Sequence, residues 1–297
     1  MRPLLPVLRD LTSWLTRGVA VGALPGSLLA VEIDQERQSA AAEANASPSA
    51  EAAAKFLTWS ACGHLNGLLR LLGAKGEEPH PHALASLARG AIENAALAAW
   101  LADSGINGEE RSRRFASYQH YGLIERAKLA VDTDGLDQMV LALTATAERR
   151  GWKLALPPKT ALVARLFKDE KFDPGDASGA FGYRVLSAIA HGSFHTLLEF
   201  LHPVGDDGVL IGASGKQAFT LCILPATLAV QLLGYELVAT FGLSAEEWSD
   251  IIRRCREVDV GHLMDTTALM DSAQSTGARQ VTRDTARPDD GPKRSIL

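Results

Sequence analysis

Tyr183, Arg184, Ser187, His191, His195 and Glu199 are polar residues capable of chemistry, crowded into one short stretch of the chain. If a single helix carries them, successive residues turn by ~100°. With Tyr183 as zero, Ser187 then falls at about 40°, His191 at about 80°, Arg184 at about 100°, His195 at about 120° and Glu199 at about 160°. Leu186, Ile189, Leu197 and Phe200 occupy the opposite arc. The pattern predicts one polar stripe on a helix whose other face is core. A histidine takes or gives a proton near neutral pH, and an arginine holds a phosphate and stabilises charge that develops on it. That pairing suits scission of RNA in which the 2′-hydroxyl attacks its own phosphodiester. Tyr183 and Ser187 flank the stripe as hydrogen-bonding groups.

Other constellations compete with this one. Arg89 and Glu93 lie four apart within RGAIENAALAAW, so apolar that the pair is expected to be partly buried. Such a pair either fixes helix register or reaches across to Arg184 and His191. His191, His195 and Glu199 have the i, i+4, i+8 spacing of a metal site on one helix face, needing a further ligand such as Glu93 or His120. Arg114, Tyr118, Tyr121, Glu125 and Lys128 share one side of a charged helix, where they could follow phosphates and stack bases. The plainer alternative is a solvated face laced by a Glu110/Arg114 pair. No GxxxxGK[ST], GxGxxG after a strand, HExxH or GxSxG pattern occurs, which argues against ATPase, dehydrogenase, zinc-protease and α/β-hydrolase chemistry.

The elements that must position these groups read as helices. Alanine and leucine dominate the 297 residues and aromatics are only 6%, which favours helix over β-sandwich. The net charge of −5 argues against a generally basic nucleic-acid binder while leaving room for a local basic patch. Cys62, Cys222 and Cys255 are scattered, as reduced thiols in a cytoplasm would be. The start of the chain lacks a signal-peptide pattern, since Arg9, Asp10 and Arg17 interrupt its apolar run. Residues 217–235 carry no formal charge, but Thr220, Pro225, Thr227 and Gln231 interrupt them. A buried core helix is therefore expected there and no membrane span.

Helices are predicted over about 4–16, 48–72, 82–103, 109–131, 134–150, 159–169, 178–201 and 217–241. Ser244 and Glu247 supply a Ser-x-x-Glu capping box for a last helix through Val258. A short β-hairpin near 203–216 is expected between the 178–201 and 217–241 helices. Pro48 marks a boundary, so residues 1–47 read as an N-terminal helix and linker, and 48–260 as the bundle domain. The polar, Pro- and Gly-bearing 271–297 reads as a disordered tail. The expected fold is an all-α, multi-helix bundle.

The run Tyr183-Arg184-Val185-Leu186-Ser187-Ala188-Ile189-Ala190-His191-Gly192 resembles the Arg-x(4–6)-His signature of the HEPN superfamily. Val185 stands where active members carry a polar residue. The earlier Arg89-x-x-x-Glu93 resembles a pair found in uncharacterised helical families related to that group, and the two blocks occur in the expected order. The resemblance covers roughly residues 50–240. It implies a helical bundle that often dimerises with its Arg/His helices together. In active members it implies a metal-independent endoribonuclease, often in toxin–antitoxin or antiviral systems. On that reading His191 is the acid/base, Arg184 holds the phosphate, and Arg89, Glu93, Tyr183, Ser187 and His195 bind. RNA and a second copy of the chain are the expected partners, with no cofactor and no metal. The alternatives are a non-catalytic helical interaction or regulatory module with a protein partner, a ligand or metal sensor using His191, His195 and Glu93, and a stripe that is merely solvated.

Overall fold

The computed structural model describes residues 4–38, 46–73, 80–129, 134–168, 179–191, 202–204, 209–211 and 219–257. In chain order these form α1 (Leu4–Val21), α2 (Leu28–Gln38), α3 (Ala46–Gly73), α4 (Pro81–Ala102), α5 (Gly108–Ala127), α6 (Asp134–Arg149), α7 (Lys159–Phe167) and α8 (Gly179–Ala190). A pair of three-residue strands follows, then a π-turn (Phe219–Ile223), α9 (Leu224–Phe241) and α10 (Ala245–Glu257). The architecture is an all-α multi-helix bundle. The expected hairpin is present, with β1 (His202–Val204) antiparallel to β2 (Val209–Ile211) and His202 opposite Ile211. The tail beyond Glu257 lies outside the described residues.

α4 is the axis of the bundle. Pro81 suits its first turn, because a helix start has no use for that N–H and proline's φ is already helical. Ala85, Ala88, Ala91, Ala95, Ala98 and Ala102 are buried, and such short side chains let neighbours approach from several directions. α3, α5, α7, α8, α9 and the π-turn all pack on it. At the α3 contact, a Cβ on Gly90 would sit 2.8 Å from the His64 ring, so only glycine permits that approach.

A helix that ends inside a protein must find donors for its last carbonyls. Three side chains supply them. Arg114 Nη1 donates to the Trp100 carbonyl at 2.6 Å, and Arg111 donates to Leu101 at 2.6 Å and to Asp103 at 3.1 Å. The Thr240 hydroxyl, from α9, donates to Ala102. The two guanidinium groups also place positive charge at the negative end of the helix dipole. Each has a counter-ion: Glu32 of α2 lies 2.8 Å from Arg111, while Asp103 and Glu110 each lie 2.9 Å from Arg114.

α2 is a helix absent from the sequence expectation. Its start is capped by the Ser27 hydroxyl, which accepts from the Ala30 N–H at 3.2 Å, and its buried Glu32 is the carboxylate that neutralises Arg111. α3 begins at Ala46, two residues before Pro48; a proline is tolerated in a first turn, so Pro48 opens this helix without bounding it.

Leu221–Phe241 is, among the described residues, the one helical stretch long and apolar enough to cross a membrane by length and composition. Here it is a core element, with Ala226, Ala229, Val230, Leu233, Leu237 and Phe241 fully buried. Pro225 has no N–H for the Leu221 carbonyl, and the wider π-turn occurs just where that bond is missing. Gly242, at φ 73°, ends α9 in the left-handed conformation, its N–H reaching Val238 at 3.1 Å. α1 joins the same core through Leu8, Leu11, Leu15 and Val19. α10 closes over it by stacking Trp248 on Trp14 at 5.2 Å. Ser244 caps α10 through the Glu247 N–H, but the Glu247 carboxylate takes the Trp14 indole N–H at 2.7 Å. A carboxylate with that donor at hand has less reason to complete the capping box.

Arg111 separates buried from surface charge. It is only 1% exposed. Arg111→Met strands Glu32 without its counter-ion and leaves two carbonyls undonated, for an expected loss of about 3–5 kcal/mol. Arg254 pairs with Asp10 at 2.8 Å on the surface, and Arg254→Ala should cost less than about 1 kcal/mol. Urea midpoints of the two variants give the comparison.

Candidate functional site

Three helices converge on one carboxylate. Glu93 sits mid-way along α4, where its neighbours Ala91, Ile92, Ala95 and Ala96 are buried, so its side chain leaves the core through a narrow arc facing α7 and α8. Arg89, one turn earlier, donates Nε to Glu93 Oε1 at 2.5 Å. Tyr183 of α8 donates its hydroxyl to the same oxygen at 3.0 Å. Lys159, the first residue of α7, donates Nζ to Oε2 at 2.5 Å. The carboxylate thus accepts from an arginine, a tyrosine and a lysine at once.

Arg89 also faces the other way. Its Nη1 lies 3.0 Å from Nε2 of His191, which is exposed in the turn after α8. A guanidinium has donors only, so this contact needs the imidazole lone pair on Nε2 and leaves the ring proton on Nδ1. The backbone N–H of His191 still bonds the Ser187 carbonyl at 3.0 Å, so the histidine is set by the last turn of α8. α8 in turn is seated by Leu186 and Ile189, both fully buried.

The electrostatics follow from this knot. Burial pushes the Glu93 carboxyl upward, but the hydrogen bonds from Lys159 and Arg89 outweigh it and hold the group below its ordinary value. Burial and the Glu93 charge push the Tyr183 hydroxyl up to about 12, so it remains a donor. For Arg89, burial works against its charge, and the Glu93 contact more than restores it.

The residues expected from the sequence are distributed as follows. Arg89, Glu93, Tyr183 and His191 are brought together in one connected network. Tyr183 is buried at 4% exposure and bonds inward, which differs from the flanking position expected of it. Arg184 is exposed on α8 and Ser187 is half-buried. His195 and Glu199 lie outside the described residues, so the stripe is seen here only as far as His191. Glu93, named from sequence as a further metal ligand, is taken by Arg89, Lys159 and Tyr183. Among the described residues no group of three or more His, Cys, Asp and Glu side chains is arranged to hold a metal ion.

The face expected on α5 loses Arg114, while Tyr121 and Lys128 of that face stay exposed. Arg114 points into the protein, 5% exposed, with Arg111 buried beside it, because both are committed to the C-terminus of α4. The Glu110/Arg114 pair is formed, yet it belongs to the interior edge and not to a solvated face.

Lys159 was not picked out from sequence. Its signal was positional: it follows Pro157-Pro158 at the first position of a helix, where the dipole disfavours a cation. In the structure its ammonium reaches Glu93 of α4.

Compared with family models, curated proteins and solved structures, the chain matches none.

The lowered Glu93 carboxyl sets a sign for acid sensitivity. Its folded value lies below the ordinary 4.5. The stability it contributes is therefore fully present above that pH and is lost as pH falls through the folded value. Glu110, drawn down to about 2 chiefly by the Arg113 hydrogen bond, loses its share between 4.5 and that lower limit. Glu93→Gln should lie below wild type in urea midpoint at pH 7, with the gap narrowing at pH values under 4.5. A gap that widens in acid would contradict the assignment.

Proposed function

We propose that the protein is a HEPN-like RNA-cleaving or RNA-binding protein that breaks phosphodiesters without a metal, His191 moving the proton and Arg184 holding the phosphate. The observation that carries this reading is the 3.0 Å contact between Arg89 Nη1 and His191 Nε2. It sets a basic nitrogen beside a guanidinium whose other edge shares Glu93 with the exposed Lys159, and Arg184 is exposed on the helix that ends at this histidine. Arg89 and Lys159 against Glu93 leave one net positive charge on a chain of net charge −5, and Arg184 adds another exposed positive charge on α8. Local positive charge of that kind favours a phosphate over most other ligands.

The chemistry balances with these groups. A bound phosphate accepts from Arg89 in place of the imidazole, which frees the Nε2 lone pair. That nitrogen takes the proton from the 2′-hydroxyl as the new 2′-O–P bond forms. The P–O5′ bond breaks, the 5′-oxygen receives the proton back, and a 2′,3′-cyclic phosphate is left. Arg184 stabilises the charge on the non-bridging oxygens meanwhile. The resemblance supports action as a homodimer. Three free cysteines, two of them buried thiols pushed up to about 12 by that burial, support a reducing, cytoplasmic setting.

A second reading, a non-catalytic interaction module with a regulatory protein partner, draws on α3. There Phe56 and Trp59 stand 64% and 48% exposed, more apolar surface than a helix needs for its own fold.

Cleavage of a single-stranded RNA in EDTA separates the two. Wild type should cut, His191→Ala should lose about 10²–10⁴-fold in rate, and Arg184→Ala should slow cleavage, with the melting temperature unchanged in each case. Undiminished activity in His191→Ala, or none in wild type, removes the nuclease reading.

A further inference from the structure

The Glu93 carboxylate is surrounded by the donors a phosphate would need. Arginine, lysine and tyrosine converge on its two oxygens within 3.0 Å. They come from α4, α7 and α8, and the first two are cationic, so the seat holds one negative charge against two positive ones. We infer that Glu93 is a placeholder in an anion seat, and that Lys159 is a phosphate-binding residue held by it until a phosphate-class ligand arrives. The inference deepens the reading of the His191 region as a phosphate-handling site and rests on it.

The three donors are not equally committed. Tyr183 is buried, and Arg89 keeps only 21% of its side chain exposed, so both are fixed by packing. The Lys159 side chain is 57% exposed, on a flexible stem, at the end of α7 that least favours a cation. Of the three donors, Lys159 is the one that solvent reaches freely, so it is the one able to exchange Glu93 for another acceptor. A doubly charged phosphate offers Lys159 a stronger acceptor than Glu93 does, and it draws on Arg89 at the same time. Glu93 then retains Arg89 Nε and Tyr183 and continues to aim the guanidinium. Without ligand the carboxylate offsets part of the positive charge, and it lowers the affinity for phosphate by competing for Lys159 and repelling the anion.

Calorimetric titration of the full-length protein with inorganic phosphate tests this by sign. Glu93→Gln removes the competing charge and should tighten binding by about tenfold, even though the variant is less stable. Lys159→Met should weaken binding by about fivefold or more. If Glu93 serves only to orient Arg89, Glu93→Gln weakens binding instead, and the inference is overturned. It is equally overturned if Lys159→Met binds as wild type does, or if neither wild type nor Glu93→Gln takes up phosphate. Should Glu93→Gln fail to fold, Lys159→Met decides alone, since its side chain is mostly in solvent. Phosphate binding with both expected signs, in a protein that cuts no RNA, upholds the anion seat while removing the nuclease reading.

Discussion

A helix packed against neighbours from several directions cannot leave the polar groups of its buried end to water, and α4 is such a helix. Its alanines admit neighbours so closely that the carbonyls at its end are met by side chains from other elements. At the C-terminus the obligations are the carbonyls of Trp100, Leu101 and Ala102, met by Arg114, Arg111 and Thr240. Those contacts fix where α5 and α9 cross α4, and Glu32 ties α2 to the same knot. Desolvating the buried guanidinium groups offsets much of what their partners return, so the larger cost comes when one partner alone is removed.

The same constraint, met midway along α4, makes the candidate site. Glu93 is the one carboxylate among a run of buried alanines, and satisfying it draws in Lys159 from α7 and Tyr183 from α8. α8 is thereby held with its last turn beside Arg89, and His191 falls within hydrogen-bonding reach of a guanidinium whose other edge is already anchored. Packing supplies the geometry and charge supplies the chemistry. Arg89 belongs to both.

How much of this was legible in the sequence depended on whether a signal was local. The alternation of apolar and polar residues at helical spacing showed the bundle, and the apolar neighbours of Arg89 and Glu93 showed that the pair was not a surface ornament. Ser244 announced α10. What escaped were partnerships across long separations. Arg111 and Arg114 look solvated on their own helix, and only the unmet carbonyls of α4 explain why they turn inward. α2 escaped because its one decisive residue, Glu32, is a carboxylate in a polar run whose burial depends on Arg111, 79 positions away. Lys159 was visible only as a cation at the wrong end of a helix.

The proposed chemistry has Arg89 and His191 act as one unit in breaking the phosphodiester. A double-mutant cycle on the single-turnover rate of RNA cleavage in EDTA is the decisive measurement. If the two residues work together, Arg89→Ala and His191→Ala each slow cleavage, and the double variant is little slower than His191→Ala alone. Losses that simply add would mean that the 3.0 Å contact is a coincidence of packing and would contradict the shared role.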